Sequence, residues 1–111
     1  MKMRLAAATA AAFAVALAAP AHADPDTDFA AELQGYGIYG PRDYNAWLGK
    51  LVCKRMDRGV DSDANKSVHF ALTNLPKGTT NPQAWQFVGA AANTYCPEHL
   101  PDLGRTAGPQ G

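Results

Sequence analysis

Two cysteines, Cys53 and Cys96, and no others, set the strongest limit on what this chain can fold into. Each stands at the end of a helical segment, and the residues between them form one long covalent loop if they pair. Whether they pair depends on the compartment, and the N-terminus addresses that. Lys2 and Arg4 precede an uncharged apolar run from Leu5 to Pro20, and Ala21-His22-Ala23 comes next with small residues at its first and third positions. This is the layout of a secretory signal peptide, with cleavage expected between Ala23 and Asp24. The run is shorter than the roughly 20 residues needed to span a bilayer, so residues 1–23 are read as a removable leader. No transmembrane segment is expected in the mature chain. Export would carry both thiols into an oxidising compartment, where a disulfide is the default.

Residues 24–103 are read as one domain and 104–111 as a disordered tail without apolar periodicity. A domain this small buries too little surface to be comfortable without a staple. All ten acidic residues lie after the leader, whereas Lys2 and Arg4 fall within it, so the mature chain carries a formal charge of −2. That balance excludes nucleic acid as an expected partner, because such binding needs a basic surface.

No stretch alternates with period two, and four stretches repeat with helical period, so the expected fold is all-α: a small bundle of about four short helices. The first begins at Asp26-Thr27-Asp28, residues suited to a cap and first turn, and carries Phe29 and Leu33 one turn apart. The second is the clearest. Tyr44, Trp47, Leu48, Leu51 and Val52 trace one face, Ala46, Gly49, Cys53 and Met56 a second, with Asp43 expected as cap and Gly59 as stop. The third runs from a cap at Ser62 or Asp63 to Pro76, with Ala64, Val68, Ala71, Leu72 and Leu75 as its apolar face. The fourth starts with Asn81 as cap and Pro82 in the first position and ends at Pro97, with Ala84, Phe87, Val88, Ala91, Ala92 and Tyr95 facing inward. Short connections favour antiparallel neighbours, which brings the C-terminal ends of the second and fourth helices to one pole. Small residues near the cysteines (Gly49 on one helix, Gly89 and Ala92 on the other) would let the helices approach closely enough for a Cys53–Cys96 bond, whose Cα atoms must lie about 5.5–6 Å apart.

The segment Tyr95-Cys-Pro-Glu-His-Leu100 offers a competing chemistry. A structural zinc site wants four ligands from paired clusters, and only Cys96 with His99 makes a pair. A nucleophilic cysteine needs a thiolate and an oriented base, which export and an available partner thiol oppose. No metal, cofactor or catalytic residue is therefore assigned.

Four segments carry a family pattern: Asp28–Ile38 (DFAAELQGYGI), Leu48–Cys53 (LGKLVC), the aspartate-rich turn after Met56-Asp-Arg-Gly-Val60, and Phe87–Pro97 (FVGAAANTYCP). Together they resemble domain of unknown function 732, small exported proteins found mainly in mycobacteria. The resemblance implies a helical secreted domain with the two cysteines bridged, and it implies no activity. The aromatic segment around Tyr36–Trp47, and His69 with Phe70, depart from the pattern.

On these grounds the chain is expected to be a secreted, monomeric, non-enzymatic helical module that binds an unidentified protein or envelope component. The alternative is a carrier of a small apolar or haem-like ligand, held near Tyr36, Tyr39, Trp47 and Trp85, or through His69, His99 and Tyr95. Tyr44 and Trp47 are expected to belong to the core. Lys50, Lys54 and Arg58, one turn apart, read as a solvated face or a site for an anionic headgroup or polymer.

Overall fold

The computed structural model describes residues 24–107, with side chains to Gly104. The expected leader, including Ala23 of the cleavage point, lies outside the described residues. Among the described residues five α-helices succeed one another: α1 (Pro25–Gly35), α2 (Arg42–Asp57), α3 (Ala64–Asn74), α4 (Asn81–Tyr95) and α5 (Leu100–Ala107), with a 3-10 turn over Pro97–His99 leading into the last. There is no strand among the described residues, and the all-α expectation holds. α4 is the hub, packed against α1, α2, α3 and α5. Tyr44 at the start of α2 donates its hydroxyl to the Asn74 carbonyl at the end of α3 (2.8 Å), which sets those two helices antiparallel.

Helix ends obey local chemistry, in two places one or two residues away from expectation. Thr80, not Asn81, caps α4: its Oγ1 accepts from the Gln83 N–H while the Gln83 side chain accepts from the Thr80 N–H, a reciprocal capping box. α2 begins at Arg42 after an extended Pro41, so Asp43 falls in the first turn and caps nothing. Asp63 caps α3 as expected. Gly59 ends α2 in the left-handed region (φ 72°), where a Cβ is penalised, and the Val60 N–H returns to the Arg55 carbonyl. The chain does not stop being helical near Leu103: α5 runs to Ala107, because Leu103 is buried against the bundle. Residues 108–111 of the expected tail lie outside the described residues.

The core is built from Phe29 and Leu33 of α1, Leu48 and Val52 of α2, and Phe87 and Val88 of α4, all fully buried. Phe29 meets Phe87 and Tyr95 edge-on at 5.4 and 5.3 Å between ring centres, the geometry that aromatic quadrupoles favour. The Tyr95 hydroxyl donates to Asp26 (2.7 Å) and Lys50 approaches the same carboxylate (3.2 Å), so α1 is tied to both α4 and α2 at its first turn. Tyr95 foremost, then Lys50, hold the Asp26 carboxyl below the usual range. Burial, reinforced by Asp26, pushes the Tyr95 phenol well above its own.

Gly49 has a different reason from the one expected. A Cβ there would sit 2.9 Å from two ring atoms of Phe29 and 3.2 Å from Tyr95; the missing side chain makes room for the aromatic cluster. Gly89 meets nothing within 4 Å of a would-be Cβ, so it gives no helix its close approach. Gly49→Ala should therefore destabilise by about 1–3 kcal/mol through overpacking, against the roughly 1 kcal/mol gain that helix propensity alone offers. Urea unfolding reads the sign directly, and a more stable variant would contradict the packing.

Candidate functional site

The disulfide organises the pole where the sequence concentrates its chemistry. Cys53 and Cys96 are bonded, with Cα atoms 5.9 Å apart and both residues buried. Burial of Cys53 also fixes the rotation of α2. At 100° per residue, Trp47 and Tyr44 lie about 240° and 180° around the helix from it. They therefore face solvent: Trp47 is 52% exposed and Tyr44 40%. This corrects their expected place in the core. The buried stripe is instead Asn45, Ala46, Leu48, Gly49, Val52 and Cys53.

Tyr44 and Trp47 pack on one another at 5.5 Å between ring centres. Further along α2 follow exposed Lys50, half-buried Leu51, and exposed Lys54 and Arg58, the last about three turns from Trp47. Lys50 is engaged by Asp26. Among the described residues no carboxylate forms an ion pair with Lys54 or Arg58. The face thus carries an aromatic ledge toward the start of α2 and two cations toward its end.

The four aromatics expected to share a ligand pocket are placed apart. Tyr36 is half-buried at the end of α1, donating to Glu32 and accepting, through its carbonyl, from Gln83. Tyr39, 67% exposed, borders a concavity with Ile38, Pro76 and Lys77. Trp85 borders a different one with Gly89, Leu100 and Leu103. Trp47 stands on the outer face of α2.

A broader trough of about 710 Å³ crosses α3, floored by Val60 and Phe70 and edged by Arg55, Lys66 and His69. Its wall is firmly held. The Arg55 guanidinium donates to both Asp61 carboxylate oxygens (2.9 and 3.0 Å) and lies 4.0 Å over the Phe70 ring, while Ser67 donates to Asp61. His69 lines this trough, whereas His99 borders a separate concavity with Met56, Ser62 and Leu103; Tyr95 is committed to Asp26. The structure does not gather His69, His99 and Tyr95 into one ligand set.

Beyond Cys96 the 3-10 turn swings His99 back over the end of α2. Its Nε2 lies 2.6 Å from Asp57 Oδ1 and its Nδ1 3.7 Å from Asp102. Asp57 foremost, and Asp102 behind it, raise the imidazole above its ordinary value. Sequence reading missed Asp57, which is distant in the chain; the signal was there in its position one helical turn after Cys53.

Fold and staple together define a small, single-disulfide, all-α domain. Residues 25–98 match the family described as "Protein of unknown function (DUF732)", and the chain belongs to it. It is 58% identical over 82 residues, 74% of this chain and 73% of the relative, to uncharacterized protein Rv0559c of Mycobacterium tuberculosis strain H37Rv and to uncharacterized protein MT0585 of strain CDC 1551. No solved structure matches.

Proposed function

We propose that this chain is an exported, non-enzymatic module that docks on an anionic lipid surface of the cell envelope through the outer face of α2. The observation carrying this reading is the solvent-facing Tyr44–Trp47 pair, with exposed Lys54 and Arg58 about two and three turns further along the same helix. Aromatic side chains with an apolar body and a polar edge suit the headgroup region, and each cation near an anionic surface contributes about 1 kcal/mol. No described helix is long and apolar enough to cross a membrane, so contact would be made from the surface. The exported setting in this reading rests on the leader-like N-terminus.

Co-sedimentation with phosphatidylglycerol vesicles should show binding that phosphatidylcholine vesicles lack. Trp47→Ser, or Lys54→Glu with Arg58→Glu, should weaken it at least tenfold, since two lost attractions of about 1 kcal/mol each already approach 30-fold. Urea midpoints should stay near wild type, because exposed positions tolerate change. Equal binding to both vesicle types, or no effect of these substitutions, would sink the reading.

The carrier alternative rests on the Val60–Phe70 trough, whose volume falls within the range of small-molecule sites. Native mass spectrometry of protein recovered from the culture medium separates the two readings: a retained small-molecule mass supports the carrier, and bare oxidised polypeptide supports the docking module.

A further inference from the structure

We propose that Asp57, Glu98 and His99 form a binding site for a divalent transition metal ion of the zinc class. One ligand atom from each lies within 4.8 Å of the other two. A tetrahedral ion with bonds of about 2.0–2.2 Å sets its ligand atoms roughly 3.3 Å apart. The site therefore closes on an ion by small side-chain rotations: the His99–Asp57 contact opens slightly and Glu98 moves in. Three protein ligands leave a fourth position for water.

Two features outside the three ligands support the assignment. The first is covalent. Asp57 stands one helical turn after Cys53, and Glu98 and His99 come two and three residues after Cys96 in a 3-10 turn whose His99 N–H donates to the Cys96 carbonyl. The Cys53–Cys96 bond therefore holds the two ligand-bearing segments in register before any ion arrives, which removes most of the ordering cost of binding. The second is the other face of the imidazole. Nε2 points to Asp57, while Nδ1 points toward Asp102 in the first turn of α5. A carboxylate behind the non-ligating nitrogen is the usual partner of a metal-bound histidine, fixing its tautomer and raising its basicity. An imidazole with two carboxylates suits zinc better than calcium or magnesium, which prefer oxygen alone. The cysteines need not be ligands. That is why a search of the sequence for Cys/His pairs around Cys96 discards this segment: its third ligand comes from the end of another helix.

The test is calorimetric titration of the oxidised, chelator-treated protein with zinc chloride near neutral pH, paired with NMR of the imidazole resonances. One equivalent should bind, shifting the His99 ring signals and leaving those of His69 in place. His99→Gln, Asp57→Asn and Glu98→Gln should each weaken binding at least tenfold, Asp102→Asn by about tenfold, and Asp28→Asn on α1 not at all. Calcium should bind at least tenfold more weakly than zinc. Absence of zinc binding, an unmoved His99, calcium matching zinc, or equal losses in Asp28→Asn would each overturn the proposal. Should a variant fail to fold, the His99 shift in the unmodified protein decides alone.

Discussion

Replacing Cys53 and Cys96 together by alanine should lower the free energy of unfolding by about 4 kcal/mol. The two residues are 43 positions apart, and closing a loop of that length removes about this much chain entropy from the unfolded state. A domain of some 80 residues holds roughly 4–12 kcal/mol in total, so the loss takes a third or more of what keeps it folded. It should appear in urea titrations as a lower midpoint, and wild-type protein in reductant should move to meet the variant. The stapled helices share further contacts, since Gly49 on α2 receives the rings of Phe29 and Tyr95. The reduced bundle should thus retain its helical signal at low denaturant. A shift below about 1 kcal/mol, or a variant insensitive to having lost the bond, would mean the core alone carries the fold.

The same bond explains which parts of the structure could be read from residues and which could not. Helical period, breakers and the cysteine pair were all local or countable, and they led to α1 through α4 and the staple. The rotation of α2 was the point of failure. Hydrophobicity favoured the stripe with Tyr44 and Trp47, but the buried face draws on both: Leu48 and Val52 from that one, Ala46, Gly49 and Cys53 from the other. The disulfide sets that rotation: once Cys53 must face α4, Tyr44 and Trp47 are carried to the outside while Leu48 and Val52 stay buried. Geometry at 100° per residue contained that answer, but only if the staple was given priority over side-chain apolarity. The outward ledge, the most suggestive surface here, results from that choice. The α4 cap moved from Asn81 to Thr80 for a similar reason, because Thr80 with Gln83 satisfies two backbone groups reciprocally and a lone asparagine only one.

The candidate sites were less legible than the fold. Tyr36, Tyr39, Trp47 and Trp85 look like one group only while the chain is read as a line; three elements carry them to separate surfaces. Conversely Asp57 and His99 share no motif. They meet because each trails a cysteine by three or four residues, so the staple that joins the cysteines also joins the short segments downstream of them.

Phe29→Ala should cost about 3–5 kcal/mol, the range for deleting a buried aromatic ring when the surroundings relax only partly. The ring is fully buried, edge-on to Phe87 and Tyr95, and lies over the bare backbone of Gly49. Tyr95 is restrained from filling the cavity left behind by its bond to Asp26. The loss should be visible in urea unfolding and in weaker near-ultraviolet dichroism from the surviving aromatics. A sharper test couples it to Gly49. In the wild-type background Gly49→Ala pushes a methyl into the Phe29 ring and destabilises. With Phe29 already alanine, the two closest contacts at 2.9 Å are gone, and of the three nearest there remains Tyr95 at 3.2 Å. The helix-propensity gain of about 1 kcal/mol can then show, and the substitution should become neutral or stabilising. The double-mutant cycle should give a coupling of about 2 kcal/mol, within the range for residues in direct contact. An equal cost of Gly49→Ala in both backgrounds would show that the ring is not what requires glycine, and would return the reason for Gly49 to the approach of the two stapled helices.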